Sequence, residues 1–225
     1  YTRVLEHVSP ELGEKYAEAI RSLGTIDLVQ EYDRISLNDI YGNPELHDFA
    51  FGVYSPSTLR YAKVLADILS LFDNEICGGP FSVVEIGVGY GGQCRLLTEF
   101  LPIDNYYLVD ITPALNLAKR YLEGFAIRSR LTFVTLNEID TLSCDLCISN
   151  YAFSELFRPL QDVYLDKIVR HAPNGYMTYN HTTRKDSGTY TVRQFSEKLS
   201  HRKTRNLNDI PLTHPRNKLL TCKDL

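Results

Sequence analysis

"VVEIGVGYGGQ", residues Val83 to Gln93, runs a β-branched pair into an acid and then sets Gly87, Gly89, Gly91 and Gly92 close together. Val83–Ile86 read as the end of a buried strand and the residues after Gly92 as a helix. Gly87, Gly89 and Gly92 therefore satisfy G-x-G-x-x-G at a strand-to-helix junction. Bare backbone at such a junction lets a nucleotide cofactor lie against the helix N-terminus. The spacing does not name the cofactor, because glycines also serve tight packing and several nucleotides use this junction.

Two acids narrow the choice. Asp110 closes the next strand-like run, where a carboxylate can accept from both hydroxyls of a ribose. That suits NAD and S-adenosylmethionine equally. Glu85 stands two residues before Gly87, where its charge repels a pyrophosphate but favours a cofactor carrying an ammonium and a sulfonium. S-Adenosylmethionine is such a cofactor. The bland alternative for Glu85 is a carboxylate satisfied by neighbouring backbone amides.

Outward from this turn, strand candidates at 81–86, 105–110, 131–136, 144–149 and 175–180 alternate with helical stretches at 92–101, 113–123, 156–171 and 190–199. Alternation of this kind predicts an α/β, Rossmann-like fold with a mostly parallel sheet. The end differs: "HRKTRNLND" and "NKLLTCKD" are strand-like runs with no helix between them, which predicts a hairpin closing the sheet with one antiparallel strand. Upstream, Ser9 and Pro10 open a helix running to about Leu23, "YGNPELHDFAFG" reads as a loop, and Leu59, Ala62, Leu65, Ala66, Leu69 and Phe72 mark a second helix by their spacing. The expected division is a helical N-terminal extension or lid over 1–76 and a cofactor-binding domain over 77–225.

The chain has 225 residues, 44% of them hydrophobic, which is enough for one substantial α/β core with an appendage. A formal charge of -4 disfavours nucleic acid as a partner, and the basic run "HRKTRN" reads as a solvated strand face or a contact for a nucleotide-sugar diphosphate. No run is apolar enough for a membrane span, and the start lacks a secretory layout, so a cytoplasmic protein is expected. The sequence opens at Tyr1 rather than Met, which leaves room for an upstream segment. Five scattered cysteines fit a reducing compartment. Cys144 and Cys147 spell C-x-x-C, but in an apolar strand-like run their thiols should point to opposite faces, a structural role and not a metal site.

Taken together, "SPSTLRYAKVLADIL", "VVEIGVGYGGQC", "CDLCISNYAFSEL" and "NGYMTYNH" resemble the sugar O-methyltransferase family, within the class I S-adenosylmethionine-dependent methyltransferases. The resemblance spans about residues 41–220; Val88 stands where the family tends to have glycine. It implies that Glu85, Gly87, Gly89 and Gln93 line the methionine end of the cofactor and that Asp110 with Ile111 holds the ribose. It further implies that Leu136 or Asn137 borders the adenine and that Ser149, Asn150 and Tyr151 pass beneath the methionine portion. The segment carrying Tyr41, Asn43, Tyr54, Ser57, Thr58 and Arg60 is implied to cover the cofactor mouth, with Arg60 pairing a carboxylate or phosphate. Tyr41, Asn43, Tyr54 and Asn180 are the candidate substrate contacts.

Methylating an alcohol needs a base for its proton. His181 suits neutral pH, and Glu155 would serve if burial raised its pKa; a surface histidine and a helix-capping glutamate are the plain readings of each. His214 and Asp186 follow. Hard oxygen ligands would suit Mg²⁺ on vicinal hydroxyls, yet no run spells a metal site. The expected partner is a small-molecule or glycan acceptor, with a homo-oligomer left open. Rival readings are methyl transfer to a phenol or carboxylate, an NAD-dependent oxidoreductase using the same glycines, and a non-catalytic subunit retaining the fold.

Overall fold

The computed structural model describes residues 8–76, 78–180 and 188–224. The chain gathers into two compact units, one of Tyr1–Pro80, Gly89–Pro102 and Asn116–Arg128, the other of Phe81–Val88, Ile103–Leu115 and Ser129–Leu225.

The first unit is mainly helical. Helix α1 (Pro10–Leu23) is capped as the sequence predicts: Ser9 Oγ accepts from the Leu12 amide and Gly24 turns the chain at φ 67°. It packs along α3 (Pro56–Ile76), which buries Leu59, Ala62, Leu65, Ala66 and Phe72. Between them lie the short helix α2 (Tyr32–Ser36) and a hairpin of β1 (His47–Phe49) and β2 (Gly52–Tyr54), so part of the expected 41–52 loop is strand. Three-residue strands carry too little alternation to be read from sequence. Helix α4 (Gly92–Phe100) starts at the glycine turn, and Tyr90, Tyr121, Tyr41 and Phe125 stack edge-on nearby within this unit.

The second unit holds a seven-stranded sheet of β3 (Phe81–Ile86), β4 (Ile103–Val109), β5 (Arg130–Val134), β6 (Leu146–Asn150), β7 (Asn174–Tyr179), β8 (Lys203–Asn208) and β9 (Lys218–Lys223). Its order is β5-β4-β3-β6-β7-β9-β8. All pairs are parallel except those of β9, which runs antiparallel to both β7 and β8. Helix α5 (Thr112–Leu122) follows β4. The expected helix over 156–171 is α7 (Arg158–Lys167) with a 3₁₀ turn at Val169–His171, and a separate short helix α6 (Ala152–Glu155) precedes it; Pro159 fits only a first turn, which sets the start of α7. Helix α8 (Val192–Lys198) precedes β8.

One sheet face, with Val84, Ile86, Val109, Cys147, Met177, Tyr179 and Leu220, is buried in one cluster with Phe153, Leu165 and Phe195 from the helices. Cys144 lies in the same cluster as Cys147. The opposite-face expectation is thus corrected: Cys144 precedes β6, outside the strand alternation that would have reversed it. Both thiols are free and pushed up by burial, Cys144 to about 12. Among the described residues no helix is long and apolar enough to cross a membrane, and no group of three or more His, Cys, Asp or Glu could hold a metal.

Candidate functional site

The order of the sheet reverses between β3 and β6: β4 and β5 extend one way from β3, and β6 and β7 the other. Loops leaving the two strands diverge there, and in open α/β sheets ligands collect in that crevice at the carboxyl ends. Within the second unit, Gly87, Asp110, Ile111, Leu136, Asn137, Asn150, Tyr151 and Asn180 all lie at or just past such ends.

The turn after β3 is built from backbone. Gly87 has φ 82°, and a Cβ there would come 2.1 Å from Ala152 Cβ, so both conformation and space require glycine. Its amide donates to the Val109 carbonyl at 3.0 Å. Asp110 completes the brace: its Oδ2 accepts from the Val88 amide at 2.8 Å and its Oδ1 from the Ile111 amide at 2.7 Å. Asp110 stays half-exposed, and each oxygen has a second lone pair for a ribose hydroxyl. Beside it Ile111 is 68% exposed, an apolar surface at a polar edge. The buried phenol of Tyr164, desolvated and facing the charge of Asp110, is pushed up to about 12.

Glu85 is buried, and its Oε2 accepts from Tyr106 Oη at 2.8 Å. The carboxylate is therefore held inside the unit, on the face that also carries Val83 and Leu108. Leu136 and Asn137 sit in a 3₁₀ turn after β5, closed by Thr135 Oγ1 donating to Glu138 at 2.7 Å; Leu136 packs partly on the core and Asn137 is exposed.

Past β6 the chain is held by side chains. Ser149 Oγ donates to the Ile86 carbonyl and accepts from the Phe153 amide, both at 3.0 Å, which ties β6 to β3 and caps α6. Asn150 is half-buried. Tyr151 adopts φ 66°, ψ -35°, a conformation that a bulky residue rarely takes. Its amide donates to Thr178 Oγ1 at 2.9 Å and its hydroxyl donates to Asp209 Oδ2 at 2.5 Å. Asn180 Nδ2 donates to Glu155 Oε1 at 2.9 Å, bringing two predicted residues together. Glu155 is exposed, without the burial that its use as a base calls for. His181 and Asp186 lie outside the described residues. His214 accepts from the Arg216 amide in the β8–β9 loop.

The remaining candidates belong to the first unit. Gly89, at φ 54°, has open space where a Cβ would stand. Gln93 is buried and donates to the Tyr61 carbonyl, and the Arg60 guanidinium lies 5.2 Å from the Tyr61 ring centroid. Tyr41 donates to the Gly124 carbonyl, and Asn43 is exposed at φ 51°. Tyr54 is fully buried with its hydroxyl on the Leu28 carbonyl, which makes it a packing residue and removes it from the substrate contacts. Ser57 is buried, and Thr58 Oγ1 donates to Asp39 Oδ1 at 2.8 Å.

Sequence reasoning missed Thr178, Tyr164 and Asp209. Asp209 carried the same signal as Asp110, an acid just past a strand end.

No protein-family model and no curated protein sequence matches the chain. Among solved structures, the CurJ carbon methyltransferase is similar over 94% of this chain and 65% of its own, with a TM-score of 0.54 and 15% identity. SMU.1697c from Streptococcus mutans, solved in complex with SAH, is similar over 68% of this chain and 94% of its own, with a TM-score of 0.51 and 17% identity. TehB from Haemophilus influenzae is similar over 71% of this chain and 62% of its own, with a TM-score of 0.51 and 14% identity. The chain thus spans less than two thirds of the CurJ and TehB structures. At such identities the likeness is one of fold: a mostly parallel sheet with an antiparallel strand near its edge, a Rossmann-like architecture.

Proposed function

We propose that the chain transfers a methyl group from S-adenosylmethionine to a hydroxyl oxygen, and that a sugar is the acceptor. One observation carries the cofactor: the Glu85 carboxylate is buried two residues before the glycine turn, where its charge disfavours a pyrophosphate, while Asp110 beside the turn offers a ribose contact that either cofactor could use. When bound, the cofactor supplies a methyl group on a sulfonium that departs as a neutral thioether. Asp110 would hold the ribose, Ile111 with Leu136 and Asn137 would border the adenine, and the backbone at Ser149–Tyr151 would underlie the methionine portion. Glu85 would act through its field.

The sugar rests on the sequence resemblance and on the Asn180–Glu155 pair, an amide and a carboxylate at the strand ends that suit vicinal hydroxyls. His181 and Glu155 are the bases that the sequence proposes. A second reading, a small-molecule acceptor with an apolar face, is favoured by the exposed Phe157, Ile210 and Leu212. Free buried thiols suit a reducing, cytoplasmic setting.

Thermal-shift titration tests the cofactor. A ligand that binds only the folded state raises the melting midpoint. S-Adenosylhomocysteine should raise it and NAD should not; stabilisation by NAD alone sinks the reading.

A further inference from the structure

One described residue at the strand ends combines a positive φ with a side chain held by a hydrogen bond to a buried acid. Two non-glycine residues among those described have positive φ, Asn43 and Tyr151. Asparagine tolerates that region, whereas a tyrosine there costs about 1–3 kcal/mol and persists only where its surroundings impose it. The surroundings of Tyr151 do so. Its amide donates to Thr178 Oγ1, its carbonyl accepts from Ser154 Oγ at 2.6 Å, and its phenol donates to Asp209 Oδ2 at 2.5 Å.

The register places Asp209 at the same edge. Asn208 pairs with Lys218 and Lys218 with Tyr179, so β8 ends level with β7, and the β8–β9 loop leaves on the side where the parallel strands end. Asp209, its first residue, is 4% exposed. A backbone held in a costly conformation thus aims a phenol at a buried carboxylate, one residue past β6 and beside the crevice.

We infer that Tyr151 and Asp209 form a proton relay for the acceptor hydroxyl, an inference that rests on the methyltransferase reading above. A phenol oxygen donates one hydrogen and accepts two. With its hydrogen directed to Asp209, Tyr151 Oη offers acceptor capacity to an incoming hydroxyl. As the acceptor oxygen forms its bond to the methyl carbon and the carbon–sulfur bond breaks, the acceptor's proton passes to Tyr151 Oη and the Tyr151 proton passes to Asp209 Oδ2. The sulfonium's positive charge and the Asp209 negative charge disappear together, and the proton later returns to water. Asp209 acts through Tyr151, as a positioning residue that also receives the proton; the route needs neither His181 nor a buried Glu155.

The test compares wild type with Tyr151→Phe, Asp209→Asn and the double variant. Calorimetric binding of S-adenosylhomocysteine, expected within about threefold of wild type, reports folding and the cofactor site. Proton NMR without any ligand should show a far-downfield hydroxyl resonance in wild type that both single variants lose. With a panel of UDP- and dTDP-hexoses as acceptors, kcat should fall about 100-fold or more in each single variant and no further in the double, because general-base assistance is worth that much and the two act as one unit. KM for the acceptor should change far less. If Tyr151→Phe fails to bind S-adenosylhomocysteine, Asp209→Asn decides, since its amide oxygen can still accept from the phenol but cannot take its proton. Variants that keep kcat within threefold overturn the relay alone. A wild type that binds no S-adenosylhomocysteine overturns the methyltransferase reading, and the relay with it.

Discussion

On either side of the β3/β6 switch, two aspartates at strand ends are held by opposite means. Asp110 is half-exposed and accepts from two backbone amides, Val88 and Ile111, within the turn it braces. Asp209 is buried and accepts from a side chain, the phenol of a strained tyrosine. The first arrangement depends on main chain, and any sequence with glycines and an acid in these places can make it. The second depends on one ring, directed by backbone hydrogen bonds with Thr178 and Ser154 and by its hydroxyl on Asp209. A half built from backbone suits a ligand of fixed shape, such as a nucleoside; a half built from side chains can be altered residue by residue to suit an acceptor.

The largest expected effect is on the backbone side. Gly87→Ala adds a Cβ against the rigid Ala152 Cβ at positive φ and should cost about 3 kcal/mol or more, lowering Tm by roughly 6–12 °C for a chain of this size. Gly89→Ala, with open space at its Cβ, should cost only about 1 kcal/mol in the same melting experiment. Equal losses would show that the turn is not braced where the structure braces it.

Next come the two residues past β4. Asp110→Asn removes a charged acceptor from the proposed ribose contact and should weaken S-adenosylhomocysteine binding about 10–100-fold by calorimetry. Ile111→Ala should weaken it by only about fivefold and leave Tm unchanged, because the side chain is exposed. Unchanged affinity in both variants would move the cofactor away from this edge.

The smallest effect is a titration. Tyr164, pushed up to about 12 against about 10 in the unfolded chain, binds its proton more tightly when folded. Its contribution to stability is therefore complete below pH about 10 and lost as pH rises toward 12. Tyr164→Phe should flatten the decline in Tm over that range. In Asp110→Asn the tyrosine should ionise at lower pH by ultraviolet titration, since burial still holds its proton but the Asp110 charge no longer does.

Much of the glycine turn and its brace was legible in the sequence. Gly87, Asp110 and the alternating strands announce themselves because a turn of positive φ admits little but glycine, and because buried parallel strands must be apolar. Asp209 stands at a strand end as Asp110 does, but nothing local says that the residue after β8 meets the one after β6 across β7 and β9. Tyr54, a candidate substrate contact by sequence, is a packing residue for the same reason: the burial of its ring depends on parts of the chain far from it in sequence.

The sequence by itself determined most of the element types, the glycine turn and the acid beside it, all consequences of local sterics and short-range periodicity. Tertiary structure decided which residues meet across long separations. It set Tyr151 against Asp209, Asn180 against Glu155, and Glu85 against Tyr106. Those pairings follow from strand order and register, which rest on the packing of the whole sheet and leave no trace in any short stretch of chain.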